Sequence, residues 1–470
     1  MAKQLFNSSE SSNFILNLTE EKYSKIVSFG LLTACFTTSI MTAIPVISGE
    51  NMYALSGVGL AVAGVICMII ALIGAIKKYI SKKSLVPICA FGVTLLWGVI
   101  SLINSYDRNI SFYGYTGRGE GLLAIIFYAC FFVTAVSVRF EKTITTLICG
   151  IIGAGLLNSV IGLIQVFTGK ISDYRMISIE IQANSASGLA QSPLFLAMLL
   201  TLSLTSALIG FVFFKKKSAR ILCIVCACIF SFVMMFTYSL IGICGLILSV
   251  ISVIVAVIAI KAPKINILSV FSVAVPAVIA VVLVQCGLIG NLTQYRLYDG
   301  RILWFADSYY RISASGDINY DVVDIDDTAD VYYYLNRKTM NIISTHALTG
   351  TGCDQLVFPQ LYTLGNAGEN ANIDDIIVEN TGTFDKVYNE YLYTTATRGV
   401  VSGIALVLTL VSVLVIGFRK FRKEKNWQSL CILLLTLTGA LIFFVGCSNI
   451  CYSAIFWCVA GACCADTKKQ

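Results

Sequence analysis

Charge is what this chain has least of: only 13% of its 470 residues are charged, against 57% hydrophobic. A soluble protein carries about 25% charged residues, so a water-exposed globular fold is excluded. Histidine is nearly missing, and His346 stands alone. Cysteine is plentiful but badly placed for cross-linking. Of 17 cysteines, 16 lie in or at the ends of apolar runs, and only Cys353 falls in the long polar stretch. A lone cysteine cannot staple that stretch, so no disulfide framework is expected. A cleavable leader pattern is also absent. Residues 1–24 are polar and the first apolar run is long enough to span, so it is expected to stay. Internal repeats and low-complexity tracts are lacking too.

What the chain has instead is apolar runs of about 20 residues, the length that crosses a bilayer as a helix. Twelve are legible: 26–48, 55–76, 85–105, 121–138, 143–167, 188–213, 221–237, 240–260, 265–290, 398–418, 428–446 and 449–465. Alternate connections are basic. They hold Lys77, Lys78, Lys82 and Lys83; Arg139 and Lys142; Lys215, Lys216, Lys217 and Arg220; Lys261 and Lys264; and Arg419, Lys420, Arg422, Lys423 and Lys425. Lys3, Lys22, Lys25, Lys468 and Lys469 flank the first and last runs. By the positive-inside rule all of these face the cytoplasm, with both termini inside. The formal charge of +7 reflects those loops and says nothing of nucleic acid.

The expected fold is an all-α integral membrane protein of about twelve transmembrane helices. Spans one to nine lie in residues 1–290, a large extracytoplasmic loop in 291–397, and spans ten to twelve in 398–470. More than half of the 26 acidic residues lie in that loop, which is net acidic. It is too long for a plain connector. Residues 301–312 and 329–345 carry apolar side chains at helical spacing without Gly or Pro, and their Tyr and Trp suit the membrane interface. Residues 313–328 and 361–383 are rich in Gly, Asp and Asn and read as loop.

Polar segments are where such a protein keeps chemistry, and one is distinctive. His346-Ala-Leu-Thr-Gly350-Thr-Gly352-Cys-Asp354 is followed by Phe358-Pro359-Gln360. Then come Phe384-Asp385-Lys386-Val387-Tyr388-Asn389-Glu390-Tyr391-Leu392 and Arg398-Gly399, leading into an apolar run. Over roughly residues 295–415 this resembles the O-antigen ligase and polymerase family of bacterial membrane proteins. There a G-x-G element follows an amphipathic outer helix, and a V-D-K-x-H-N-x-Y-L type motif leads into a membrane helix. Elsewhere the similarity is topological, with weaker matches near Tyr115–Gly121 and Asn184–Gly188. The chain departs from the pattern in two places. The family's histidine, its general base, is Tyr388 here, and Ser239 is followed by Leu240 where the family often has Ser-Arg.

The resemblance implies transfer of a glycan from an undecaprenyl diphosphate carrier to a hydroxyl of a glycan or lipid acceptor, without a cofactor or metal. The site would lie at the outer leaflet of the bacterial plasma membrane, because the leaving pyrophosphate is anchored there. Arginine suits that group, since its planar fork binds phosphate bidentately and neutralises the leaving charge. Arg301, after Gly300, falls where the family tends to carry Gly-Arg, and Arg337 is the alternative for the same role. Arg118 lies in Thr116-Gly117-Arg118-Gly119-Glu120-Gly121 just before span four, whose N-terminal amides would attract an anion; a glycine-rich turn with a snorkelling arginine is the plainer reading. Arg175, on the next outer loop, is a further candidate. Lys386 and Asn389 complete the substrate-binding set, Asn389 as an orienting group.

The acceptor hydroxyl needs a base within hydrogen-bond reach. Tyr388, Asp385, Glu390 and His346 are the catalytic candidates. Tyrosine is a poor base at its ordinary pKa of about 10, though nearby arginines would lower it. Metal readings are weaker. Cys223, Cys226 and Cys228 behave as small buried apolar residues, and the acidic run from Asp324 to Asp330 lacks the central glycine of an EF-hand loop. A small-solute transporter, of bicarbonate for example, is the competing class. Carriers, however, place charges at mid-membrane, whereas here they gather in the outer loop. A catalytically inactive relative that only binds glycan lipid is a third reading, kept open by Tyr388.

Overall fold

The computed structural model describes residues 17–48, 53–114, 118–168, 185–190, 192–260, 270–286, 288–289, 328–359 and 386–468. Helix is the only regular structure among them, apart from one isolated bridge between Phe140 and Lys468. In chain order the helices are α1 (Glu20–Ser48), α2 (Tyr53–Ile76), α3 (Leu85–Ile103), the short α4 (Arg108–Tyr113), α5 (Leu122–Val136), α6 (Glu141–Thr168), α7 (Pro193–Phe213), α8 (Lys217–Met235) and α9 (Leu240–Ile260). They continue with α10 (Ala274–Gln285), α11 (Thr328–Thr345), α12 (Glu390–Arg398), α13 (Val400–Glu424), α14 (Trp427–Ile442) and α15 (Ile450–Cys464).

Each of the twelve apolar runs therefore contains a helix. Eight helices are long and apolar enough to cross a membrane; those at Leu122–Val136, Phe271–Val284, Trp427–Ile442 and Ile450–Cys464 are shorter. The outer surface confirms the solvent. Ile69 and Leu72 of α2, Val86 and Leu96 of α3, Ile251 and Ile258 of α9, and Leu408 and Val411 of α13 are all exposed. Apolar surface on that scale belongs in lipid rather than water. The chain is a membrane-embedded, all-α protein.

Local signals set the helix ends. Glu20 and Glu21 open α1, where the helix dipole favours negative charge. Ser192 caps α7 ahead of Pro193, Asn426 caps α14 and Asn449 caps α15. At the middle of the bundle sit α7, in which only Phe211 and Phe213 escape full burial, and α15, buried throughout. Close approach is achieved with small residues, as expected where lipid offers no hydrophobic drive. A Cβ at Gly461 of α15 would overlap the Phe132 carbonyl of α5, and one at Gly245 of α9 would overlap Thr201 of α7. Hydroxyl pairs also cross helix interfaces: Thr205 of α7 to Ser249 of α9 at 2.9 Å and Ser252 of α9 to Thr438 of α14 at 2.8 Å.

Basic connections among the described residues meet at one end of the bundle. Arg139 and Lys468 both pair with Glu20, Asn426 donates to Glu141, and Lys420 donates to the Ala465 carbonyl. Phe213 stacks on Trp427 there, and Phe214 meets the same ring edge-on. The predicted helix at 329–345 is α11, which packs on α12. That at 301–312 lies outside the described residues.

Candidate functional site

At the other end, six non-helical segments meet: 118–121, 185–190, 236–239, 346–357, 386–389 and 443–449. Polar side chains of α6 hold the 185–190 segment in place. Gln165 of α6 accepts from Ser187 N at 3.0 Å and Gly188 N at 2.8 Å, and donates back to the Gly188 carbonyl. Asn158, about two turns earlier on α6, accepts from Leu189 N. Irregular backbone is tolerated at such depth only when satisfied this way.

The G-x-G turn has a definite job. Thr351 N and Gly352 N each donate, at 3.0 Å, to the Ala396 and Thr397 carbonyls at the end of α12. Gly350 has φ +71° and lies so close to the Thr397–Arg398 peptide that a Cβ would overlap it. Gly399 (φ +83°) then swings the chain from α12 into α13. The other end of α12 is capped by Asn389, whose side chain accepts from Tyr391 N and Leu392 N. The orienting role expected of Asn389 is thus toward its own helix.

This scaffold brings six charged side chains together, all buried: Arg118, Lys386 and Arg398 against Glu120, Asp354 and Glu390. The Arg118 guanidinium lies 3.3 Å from Asp354 Oδ1, which also accepts from the Tyr393 hydroxyl at 2.8 Å. Lys386 Nζ donates to Glu120 Oε2 and, at 2.7 Å, to the Ser448 carbonyl. Its ammonium also sits 5.2 Å above the Phe195 ring. Glu390 Oε1 accepts from Thr394 and Arg398, and its Oε2 accepts from Ser448 N at 2.7 Å. The Ser448 peptide is therefore clasped on both sides, by Lys386 and by Glu390.

Between these groups lies a cavity of about 30 Å³, lined by Glu120, Asp354, Glu390, Arg398 and Ser448 among others. It has room for water and none for a sugar. Burial pushes Glu120 up to about 7, only partly opposed by Lys386. Burial works against the Lys386 charge as well, but Glu120 beside it holds the ammonium above its ordinary value. The Tyr393 phenol is held protonated, first by burial and then by Asp354.

Of the residues singled out by sequence, Arg118, Lys386 and Glu390 fall in this cluster. Tyr388 is buried beside it. His346 is half-buried at the rim, bonded to the Tyr106 hydroxyl at 3.0 Å and to Thr345. Arg337 is exposed on α11, and neither His346 nor Arg337 lines the cavity. Asp385, Arg175 and Arg301 lie outside the described residues. Glu120, Asp354 and Arg398 stood inside the quoted motifs, but sequence reading gave them no role. The signal was there: in so uncharged a chain, a charge beside a glycine turn at the end of an apolar run wants a partner.

No protein-family model matches the chain, and no curated protein matches it in sequence.

Proposed function

We propose that the protein is a membrane glycosyltransferase of the O-antigen ligase or polymerase kind, moving glycan from a polyprenyl diphosphate carrier to a hydroxyl acceptor at the outer face of the bacterial plasma membrane. The observation that carries this reading is the meeting of Arg118, from the turn before α5, with Lys386 and Arg398, from the segment bearing the family resemblance, at the end of the bundle away from the basic connections. On this reading the basic end and both termini are cytoplasmic, all twelve apolar helices span, and the cluster lies at the leaflet where the carrier's diphosphate resides. Three buried cations supply what a departing pyrophosphate needs. Arg337 of α11, with Arg301 and Arg175 of the outer loops expected from sequence, would guide the donor in. Glu390 has both oxygens engaged and serves to hold Arg398 and Ser448. Asp385, adjoining Lys386 in sequence, and His346 at the rim are then the groups left for the acceptor's proton.

The test is surface-glycan and lipid-linked-glycan profiling of a deletion strain restored with wild type, Arg118→Ala, Arg301→Ala or Tyr388→Phe. The reading expects a shortened or missing polymer and accumulated lipid-linked glycan, uncorrected by the arginine variants. Unchanged pools in the deletion strain would reject it. A solute carrier is the second reading, favoured by the burial of the cluster and its water-sized cavity; solute uptake by the same strains separates the two.

A further inference from the structure

The cluster is self-neutralised, with three cations facing three carboxylates, and its cavity admits water but no ligand. A diphosphate can reach Arg118 and Lys386 only if their present partners let go. Resting on the reading above, we propose that Glu120 and Asp354 are internal stand-ins for a diphosphate diester, and that the diphosphate displaces them from Lys386 and Arg118 with uptake of a proton by Glu120.

Charge balance is the first argument. A dianion entering a neutral, buried cluster leaves it with two excess negative charges, which low-dielectric surroundings penalise heavily. A proton on a displaced carboxylate removes half of that excess. Geometry selects Glu120 for it. Its Oε2 holds Lys386, while its buried Oε1 has no hydrogen-bond partner among the described residues, and Glu120 lines the water-sized cavity. Asp354 is better engaged, by Arg118 and by the Tyr393 hydroxyl. The groups facing Glu120 are Lys386 from the segment before α12, Arg118 from its own turn, Asp354 from the G-x-G turn, Glu390, Tyr393 and Arg398 from α12, Tyr128 from α5, and Cys451 from α15. Burial, helped by Asp354 and only partly opposed by Lys386 and Arg118, lifts its carboxyl toward neutrality, so the proton is available under physiological conditions. Arg118 and Lys386 both sit on non-helical backbone just ahead of a helix. They can therefore part from the carboxylates without unwinding α5 or α12.

Calorimetry on the full chain in phosphatidylcholine nanodiscs tests this, with P1,P2-dibutyl diphosphate as the probe. Both ionisable groups of that diester are strongly acidic, so the probe does not titrate near neutrality. Titrations in buffers of different ionisation enthalpy should show about half a proton taken up per diphosphate near pH 7 and about one near pH 8, and affinity should rise roughly tenfold between about pH 8 and pH 6. Glu120→Gln should bind more tightly than wild type at the alkaline end and lose that pH dependence. Binding without proton uptake in wild type, or weaker binding by Glu120→Gln, would overturn the proposal. Dibutyl phosphate and inorganic phosphate are the comparison probes. Both should bind more weakly, and equal affinity for dibutyl phosphate would assign the site to lipid headgroups instead. Proton-linked diphosphate binding alongside unchanged glycans in the deletion strain would sink the transferase reading alone. A glycan defect without proton linkage would sink this proposal alone.

Discussion

Arg118 and Asp354, 236 residues apart in the chain, face each other at 3.3 Å with their side chains almost wholly buried. Neither side chain reaches the protein surface. A buried pair of this kind is worth little against an apolar replacement, yet removing one partner typically costs about 3–5 kcal/mol, because the other charge stays behind uncompensated. Asp354→Ala and Arg118→Ala should each lower the melting temperature in detergent sharply, and the double variant should lose much less than the sum of the two. Additive losses would show that the two groups act independently.

Glu120 makes stability depend on pH in a definite direction. Its folded-state value of about 7 stands above the ordinary 4.5. The fold thus keeps a proton that the unfolded chain has released. The stability conferred is complete below about pH 4.5 and is lost as pH rises through about 7. Lys386 titrates far above this window. The difference in melting temperature between wild type and Glu120→Gln, followed from acid to mildly alkaline pH, should therefore move in favour of Glu120→Gln as pH rises.

Gly350 should tolerate no side chain. Its φ of +71° already strains an L residue, typically by about 1–3 kcal/mol, and a Cβ would collide with the Thr397–Arg398 peptide. Gly350→Ala should release the carbonyl cap of α12 and expose Arg398 to trypsin. An unaltered digestion pattern and melting curve would contradict this.

Gln165 holds the 185–190 segment through two backbone amides and one carbonyl. Gln165→Leu keeps the bulk but strands those buried groups, each at a cost of about 1–3 kcal/mol. Thermal stability should fall by several degrees, whereas Gln165→Glu, which retains the acceptor, should fall less. Equal losses in the two would show that the acceptor is unimportant.

The helices were legible because each is a long apolar run bounded by its own chemistry. Differences arose at the ends. Helix α1 starts at Glu20 rather than near 26, since two glutamates suit a helix N-terminus. Helix α13 runs on to Glu424 because Arg419–Lys423 form its last turns, their heads free to leave the apolar layer. The α11 helix was visible in its helical spacing. Pairing within the charge cluster was not legible. Lys386 finds Glu120, and Arg118 finds Asp354, only because the G-x-G turn, α5 and α12 converge, and no local pattern records which segments will meet. Asn389 shows the same limit: its cap on α12 is local and could be read from Asn followed by Glu, but its place in a motif suggested chemistry instead.

The inward setting of α7 has a consequence for biogenesis. This helix has almost no face left for lipid and carries Thr201, Ser203, Thr205 and Ser206 within two turns. Its neighbours include α14, which is synthesised long after it. Until that C-terminal part arrives, α7 must wait in the bilayer with hydroxyls facing acyl chains. Chains truncated before α14 should accordingly persist as incompletely assembled species that membrane quality control removes.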